Sequence, residues 1–336
     1  MMNQRLLVIS GGGSRGAWGG GVAESLFDEG KTYTKAIGTS TGSLMGVLVL
    51  LKAFDRLKKG YTTVTQKDIF NVNPFVTSGP KKGQIRVLNA IWRVLFYHTL
   101  GETLPLRERI KSFVTKTDYE QIRANKQEFL ATVTNMTNFQ VAYQSTDDYS
   151  YEEMVDWIWA SANEPFVMSE FFTTDKNGLK NYWVDGGLRQ IIPVQKGIEI
   201  ALNHGINNID VIVHSTENPP EFDSEWQSTG VLQSLLRTIK IMTRSIRESN
   251  IEVGILLEKL ANMERDDAIK KGDSAEGLPF ILNIYYMKTD DYKDTYNNLI
   301  FEEDTMLRLW EHGKNKHYEV RTYQLSESSL RKIAQF

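Results

Sequence analysis

The first apolar segment, Arg5-Leu6-Leu7-Val8-Ile9-Ser10, is unbroken and stops at glycine. A continuous short run of this kind predicts a strand buried on both faces. Gly11 to Gly16 follows as a loop, and Ala17 to Glu29 predicts a helix stopped at Gly30. Gly19, Gly20 and Gly21 each cost that helix about 1 kcal/mol against alanine, so close packing against the sheet is expected to compensate. Tyr33 to Thr39 predicts a second strand. Thr41 to Lys59 predicts a second helix, apolar nearly all round at its start and therefore buried. Strand, helix, strand, helix in quick succession is the opening of a parallel βαβ arrangement.

Pro74, Gly79, Pro80 and Gly83 interrupt the next stretch, and Gln84 to Leu100 predicts an amphipathic aromatic helix. Strands are expected at Glu128 to Thr134 and Phe139 to Gln144, and a helix at Tyr151 to Ala162 with Trp157, Ile158 and Trp159 in the core. Tyr182-Trp183-Val184 predicts a strand ending at Asp185-Gly186-Gly187. Val194 to Asn203 predicts a helix, and Asp210 to His214 and Phe280 to Met287 predict strands. Gly230 to Ala268 is a long helical stretch with Gly254 as the place for a break, and Glu217 to Gln227 is the weakest boundary. Alternating strands and helices make this an α/β chain.

Composition narrows the class. The chain has 336 residues, 41% hydrophobic and 24% charged, enough for a sizeable core without staples. Cysteine is absent, which excludes disulfide scaffolds, thiol catalysis and cysteine-zinc sites. The net charge of −3 draws the chain to no nucleic acid. The five-residue apolar run at Leu6 to Ser10 is too short for a signal-peptide core, and Leu44 to Leu51 is far below the roughly 20 residues that cross a bilayer. A soluble, cytoplasmic protein that meets any membrane from outside is the expectation.

Gly38-Thr39-Ser40-Thr41-Gly42 is a G-x-S-x-G sequence between a predicted strand and a predicted helix, the context of a nucleophile elbow. A helix N-cap serine in a glycine-rich turn is the plainer alternative. Gly11-Gly12-Gly13-Ser14-Arg15-Gly16 spells G-x-G-x-x-G, but the second strand ends in Gly38-Thr39-Ser40 where a dinucleotide site needs an acid. An oxyanion hole of consecutive glycine N–H groups fits better. Arg15 either steadies this loop, meets a phosphate or is merely structural or solvated. Asp185, at a strand end before Gly186 and Gly187, is a candidate proton acceptor for Ser40, or else a turn aspartate. His214 also ends a strand and completes the order Ser40, Asp185, His214, yet too little chain precedes Ser40 for the usual triad sheet. An ordinary structural histidine is the stronger reading there.

Four elements taken in order resemble the patatin-like phospholipase family: Gly11 to Gly16 its oxyanion loop, Gly38 to Gly42 its elbow, Ala160-Ser161-Ala162-Asn163-Glu164-Pro165 its A-S-x-x-x-P segment, and Asp185-Gly186-Gly187 its D-G-[AG] motif. The resemblance covers about Leu6 to Ile198. It implies a three-layer α/β/α fold with a mainly parallel sheet. The expected units are a catalytic domain at 5–198, with a lid-like insertion at about 61–116, and an α/β extension at 199–336 that completes the sheet and packs helices on it; the insertion and the extension match no part of the family pattern. It also implies a Ser–Asp dyad, with Ser40 as nucleophile and Asp185 as base, and an oxyanion held by the glycine loop, at Gly12 and Gly13. The implied reaction passes through an acyl-Ser40 intermediate in lipid esters, without cofactor or metal. A soluble-substrate carboxylesterase or thioesterase on the same dyad, or a catalytically silent binding module, remain alternatives.

Pro80 to Lys116 holds eight Lys or Arg against two Glu, interleaved with Ile91, Trp92, Leu95, Phe96 and Tyr97. Basic residues attract anionic headgroups and aromatic rings suit the interface, so this is either a membrane-docking lid or a core-packed helix with a solvated basic face. Arg237, Lys240, Arg244 and Arg247 beside Leu232, Leu235, Leu236, Ile239 and Ile246 predict an amphipathic surface helix with a solvated face.

Overall fold

The computed structural model describes residues 4–79, 82–217, 231–270, 281–294 and 299–323. Among these the strands are β1 (Arg5–Ile9), β2 (Tyr33–Thr39), β3 (Glu128–Asn135), β4 (Val141–Ser145), β5 (Phe171–Thr174), β6 (Lys180–Asp185), β7 (Asn208–Val213), β8 (Ile281–Met287) and β9 (Tyr318–Tyr323). The helices are α1 (Gly16–Asp28), α2 (Thr41–Leu50), α3 (Phe54–Thr62), α4 (Gln66–Ile69), α5 (Val87–Phe96), α6 (Leu104–Phe113), α7 (Lys116–Ala124), α8 (Tyr151–Ser161), α9 (Val194–Asn203), α10 (Val231–Lys270), α11 (Thr289–Asp294) and α12 (Glu303–Lys314).

One sheet runs β5-β6-β3-β2-β1-β7-β8-β9, with β4 paired to β3. Its middle, β3-β2-β1-β7-β8, is parallel, and β4, β5, β6 and β9 pair antiparallel. The apolar runs explain the middle. In β1, Leu7 and Ile9 face a cluster with Trp18, Met45, Met154 and Trp310, whereas Leu6 and Val8 face Val194 and Ile198 on the opposite side. Both faces are covered, as a parallel sheet requires, and the result is a three-layer α/β/α fold. Asp210 sits fully buried in β7, saturated by Arg5, Tyr33, Tyr285 and Asn283, the condition under which a buried carboxylate is tolerated.

Several elements differ from the sequence reading. The helix expected over Thr41 to Lys59 is two, because Lys52 takes a left-handed φ of 58°. The apolar α2 dives under the surface while the charged α3 must return along it. α10 is unbroken at Gly254, where a close-packed Val194 side chain leaves no room for a Cβ. The strand expected from Phe280 begins, within the described residues, at Ile281, and the boundary region Glu217 to Gln227 lies outside them beyond Glu217. Leu232, Leu235, Leu236, Ile239 and Lys240 have backbone in α10, but their side chains lie outside the described residues. β5, β9, α6, α7 and α12 carry mixed charge and short periods that the pattern does not resolve.

The basic stretch is not a free charge. Lys82, Arg93, Arg107, Arg109, Lys111 and Lys116 pair with Glu302, Glu102, Asp156, Asp68, Glu152 and Glu120. Five of those acids come from outside the stretch, so most of its local excess is matched on folding; Lys81 lies outside the described residues. No helix among the described residues is long and apolar enough to cross a membrane.

Gly20 and Gly21 of α1 are explained by a helix, not the sheet, whereas Gly19 packs on His214 at the end of β7. A Cβ on Gly20 would overlap the Trp310 ring, and one on Gly21 would meet the Trp310 carbonyl and the Lys314 nitrogen. α12 therefore lies backbone-close on α1. We expect Gly21→Ala to lower unfolding free energy by about 1–3 kcal/mol through overpacking. Helix propensity alone would raise it by about 1 kcal/mol. Urea denaturation distinguishes the signs, and a gain would mean that α12 does not sit there.

Candidate active site

Sheet register brings distant residues to one edge. Thr39 of β2 pairs with Thr132 of β3, and Asp185 of β6 pairs with Val133 of β3. Ser40 and Asp185 therefore flank the same point of β3 from opposite sides. Ile9 of β1 pairs with Gly38, which sets the glycine loop beside Ser40 from its other flank. A Cβ on Gly11 would lie 3.2 Å from the Ser40 Cβ.

Ser40 has φ 56° and ψ −123°, outside the regions L-residues favour. Such a conformation costs on the order of 1–3 kcal/mol and persists only where the surroundings enforce it. Two contacts enforce it. Gly42 presses so closely on Ile9 and Ser10 that a Cβ would meet their carbonyls. The Ser40 N–H donates to Ser161 Oγ at 3.1 Å, while Ser161 donates to the Thr132 carbonyl at 2.6 Å and meets Ser43 Oγ at 2.7 Å. Thr39 Oγ1 donates to the Gln190 carbonyl, and Thr41 Oγ1 meets the Tyr61 hydroxyl at 2.7 Å. Ser40 also heads α2, whose N-terminal dipole favours negative charge.

Asp185 is 2% exposed. Its Oδ1 accepts the Gly187 N–H at 2.7 Å, and its own N–H donates to the Asn163 carbonyl at 2.9 Å. Burial raises its pKa first, and the neighbouring Glu164 raises it further; the hydrogen bonds from Ser40 and Gly187 draw it partly back. Glu164 is itself raised by burial. Two carboxyl groups in one buried pocket resist ionising together. Gly186 packs over the Thr132 carbonyl and closes the turn.

In the glycine loop, Gly13 has a left-handed φ of 56° and Gly13 to Arg15 form a single 3-10 turn in which Ser14 is buried. The Gly11 N–H donates to the Ile191 carbonyl, the Arg15 N–H to Gly12 and the Gly16 N–H to Gly13 and Ser14. Those three amides are thus engaged within the protein. Arg15 is buried, not solvated: its guanidinium lies 4.0 Å over the Tyr292 ring. Burial lowers its pKa to about 10.

His214 is not placed as a triad base. Its Nδ1 lies 2.8 Å from the Ser10 carbonyl, its N–H donates to Ser10 Oγ, and its Nε2 meets no protein partner. Burial lowers its pKa to about 4, so the ring is neutral. It is wedged under the loop, where a Cβ on Gly12 or Gly19 would overlap it. This gives those two glycines a reason the sequence did not show.

Ser40, Asp185, Gly12 and Gly13 all face one cavity of about 820 Å³ whose walls include Leu44, Leu48, Val64, Ile110 and Phe113. Such a volume and lining suit an elongated apolar ligand. Glu164 and Tyr292, to which the sequence reading gave no role, also line it, and so does Arg247, which that reading placed on a solvated helix face and which instead is part-buried against Ser215. Glu164 stood inside the A-S-x-x-x-P segment, and its acidity was the only signal. The sequence showed no metal-ligand cluster, but folding gathers Asp291, His312 and His317 with ligand atoms within 4.8 Å. That carboxylate is already contacted by Arg308 and both imidazoles.

A family model described as patatin-like phospholipase matches residues 7–196. No curated protein matches the chain. Among solved structures, VipD from Legionella pneumophila aligns over 96% of this chain and 68% of its own, at 12% identity and a TM-score of 0.39. ExoU, crystallised with SpcU from the type III secretion system of Pseudomonas aeruginosa, aligns over 99% of this chain and 58% of its own, at 12% identity and a TM-score of 0.26. The chain thus spans less than two thirds of ExoU. Neither likeness is close enough to carry an argument.

A carboxyl whose folded pKa is raised weakens the fold as pH climbs from the ordinary carboxylate range through that raised value. Asp185→Asn removes the buried charge and keeps an acceptor for Gly187. Its melting temperature should exceed that of the wild type at pH 8, and the gap should close towards pH 4. Calorimetry at both values checks this; a lower melting temperature at pH 8 would show that the carboxylate stabilises the fold.

Proposed function

The chain belongs to the patatin-like phospholipase family, whose members hydrolyse lipid esters, and on that premise we propose that it is an acyl hydrolase with Ser40 as nucleophile and Asp185 as base. The observation that carries the reading is a strained, elbow-held serine that shares one cavity and one sheet edge with a carboxylate kept basic by burial. A base works best when its pKa lies near the operating pH, and an ordinary aspartate, at about 3.9, is too weak.

Ser40 Oγ attacks the ester carbonyl as Asp185 takes its proton. The carbonyl oxygen becomes an oxyanion held by the N–H groups of Gly12 and Gly13, the α2 dipole assisting. The carbonyl re-forms, the alcohol leaves with the proton from Asp185, and an acyl-Ser40 ester remains. Water, deprotonated by Asp185, attacks that ester and releases the carboxylic acid and Ser40. Ser14, Arg15, Gly11 and Gly16 shape the loop, Gly38, Thr39, Thr41 and Gly42 shape the elbow, and Gly186 and Gly187 aim the carboxylate. The acyl chain lies along Leu44, Leu48 and Val64. The lipid is of the phospholipase A or lysophospholipase substrate type.

Ser40→Ala and Asp185→Asn should each lose roughly 10⁴-fold or more in turnover of phospholipid in mixed micelles, as removal of a nucleophile or base does. Circular dichroism should be unchanged. A fluorophosphonate should label the wild type at Ser40 and leave Ser40→Ala unlabelled. Activity retained in either variant would end the assignment.

The pH profile adds a second check. Asp185 must be ionised, so activity should fall on acidification at a pH above the ordinary carboxylate range. Glu164→Gln removes the neighbouring charge and should move that limb to lower pH. An unmoved limb would mean that Glu164 does not bear on the base.

A further inference from the structure

α5 is fixed to the body by its inner face and bare on its outer one. Arg93 is buried; its Nε donates to the Thr99 carbonyl at 2.7 Å, its Nη2 meets Glu102 at 3.0 Å, and its guanidinium lies 4.3 Å over the Tyr97 ring. Trp92, Leu95 and Phe96 stand at i, i+3 and i+4, one stripe of the helix, and are 58%, 68% and 63% exposed. The Trp92 and Phe96 rings touch at a tilt of 43° with centroids 4.4 Å apart, so the stripe is one continuous ridge. With aromatic side chains burying 150–250 Å² each, it leaves on the order of 400 Å² of apolar surface in water, a size that marks an interaction site.

The ridge adjoins the cavity of Ser40. Tyr97 and Phe166 both line that cavity, and each is 51% exposed. Phe166 holds a left-handed φ of 67°, unfavourable for a bulky residue, and its carbonyl accepts the Leu100 N–H at 2.7 Å. The opening is therefore rimmed by large apolar groups kept in water at a cost. Two of the nearby cations are already matched by carboxylates, Lys82 by Glu302 and Arg93 by Glu102.

We propose that the Trp92-Leu95-Phe96 ridge inserts into a lipid bilayer and sets the cavity mouth against it, so that substrate enters from the membrane without passing through water. The occupant follows from the proposed lipid-ester hydrolysis at this cavity, and the inference rests on that reading. Binding is driven by apolar burial, not by attraction to anionic headgroups, and is insensitive to salt. This differs from electrostatic docking, which screening weakens.

The test uses the full chain with vesicles of phosphatidylcholine alone. Wild type should sediment with them equally at 0.1 and 0.5 M NaCl. The triple change Trp92→Gln, Leu95→Gln, Phe96→Gln should lower partitioning and vesicle hydrolysis by about tenfold or more, as expected when anchoring apolar groups are removed, and leave turnover of a short water-soluble ester at the wild-type level. Leu202→Gln alters another exposed apolar residue, 48% exposed at the C-terminus of α9 by the opposite end of the parallel strands, and should change nothing. Equal sedimentation of the triple variant, binding of wild type only to anionic vesicles at low salt, or a dimer that the triple variant dissolves with no vesicle binding would each overturn the docking surface. Absent soluble-ester turnover in the wild type would instead strike the proposed function, so the two failures are separable.

Discussion

A carboxylate withdrawn from water at the end of β6 forfeits hydration worth several kcal/mol. The fold holds Asp185 there with the Gly187 N–H as donor, beside the Ser40 elbow, and places a second acid, Glu164, alongside. That arrangement is possible only because β3 pairs with β2 on one side and β6 on the other within a residue of each other. A slip of one residue in either register would turn the side chains to the opposite face. The strain at Ser40, the hydroxyl of Ser161 and the tight approach of Gly42 to β1 all serve the same edge.

The glycine loop depends on residues far along the chain. His214 from the end of β7 fills the space beneath it, and Tyr292 of α11 covers Arg15. α12 presses on α1, the helix that leaves the loop. Close packing of this kind transmits small displacements instead of absorbing them. The loop is thus shaped by the C-terminal part of the chain as much as by its own sequence.

Charge shows how folding rewrites local composition. Lys111 and Arg107 look unopposed in their own segment, yet Glu152 and Asp156 of α8 meet them. Trp92 and Phe96 suit either a core or an interface by pattern, and they face water. Arg15 suits either a loop-steadying or a solvated role, and it is buried beneath Tyr292. Each outcome was set by whether a neighbour arrived from outside the window in which the pattern is read.

The residues alone determined the parallel start of the sheet, since only doubly covered strands read as Leu6 to Ile9 and Ala36 to Thr39 do. They also marked Ser40, the glycine loop and Asp185, because turn chemistry and spacing are local. The tertiary structure alone decided which acid neighbours Asp185, why α1 tolerates three glycines, what His214 is for and which face of α5 is bare. Those are properties of pairs distant in sequence. Periodicity records whether a residue is buried, and the identity of whatever buries it is fixed only when the chain closes on itself.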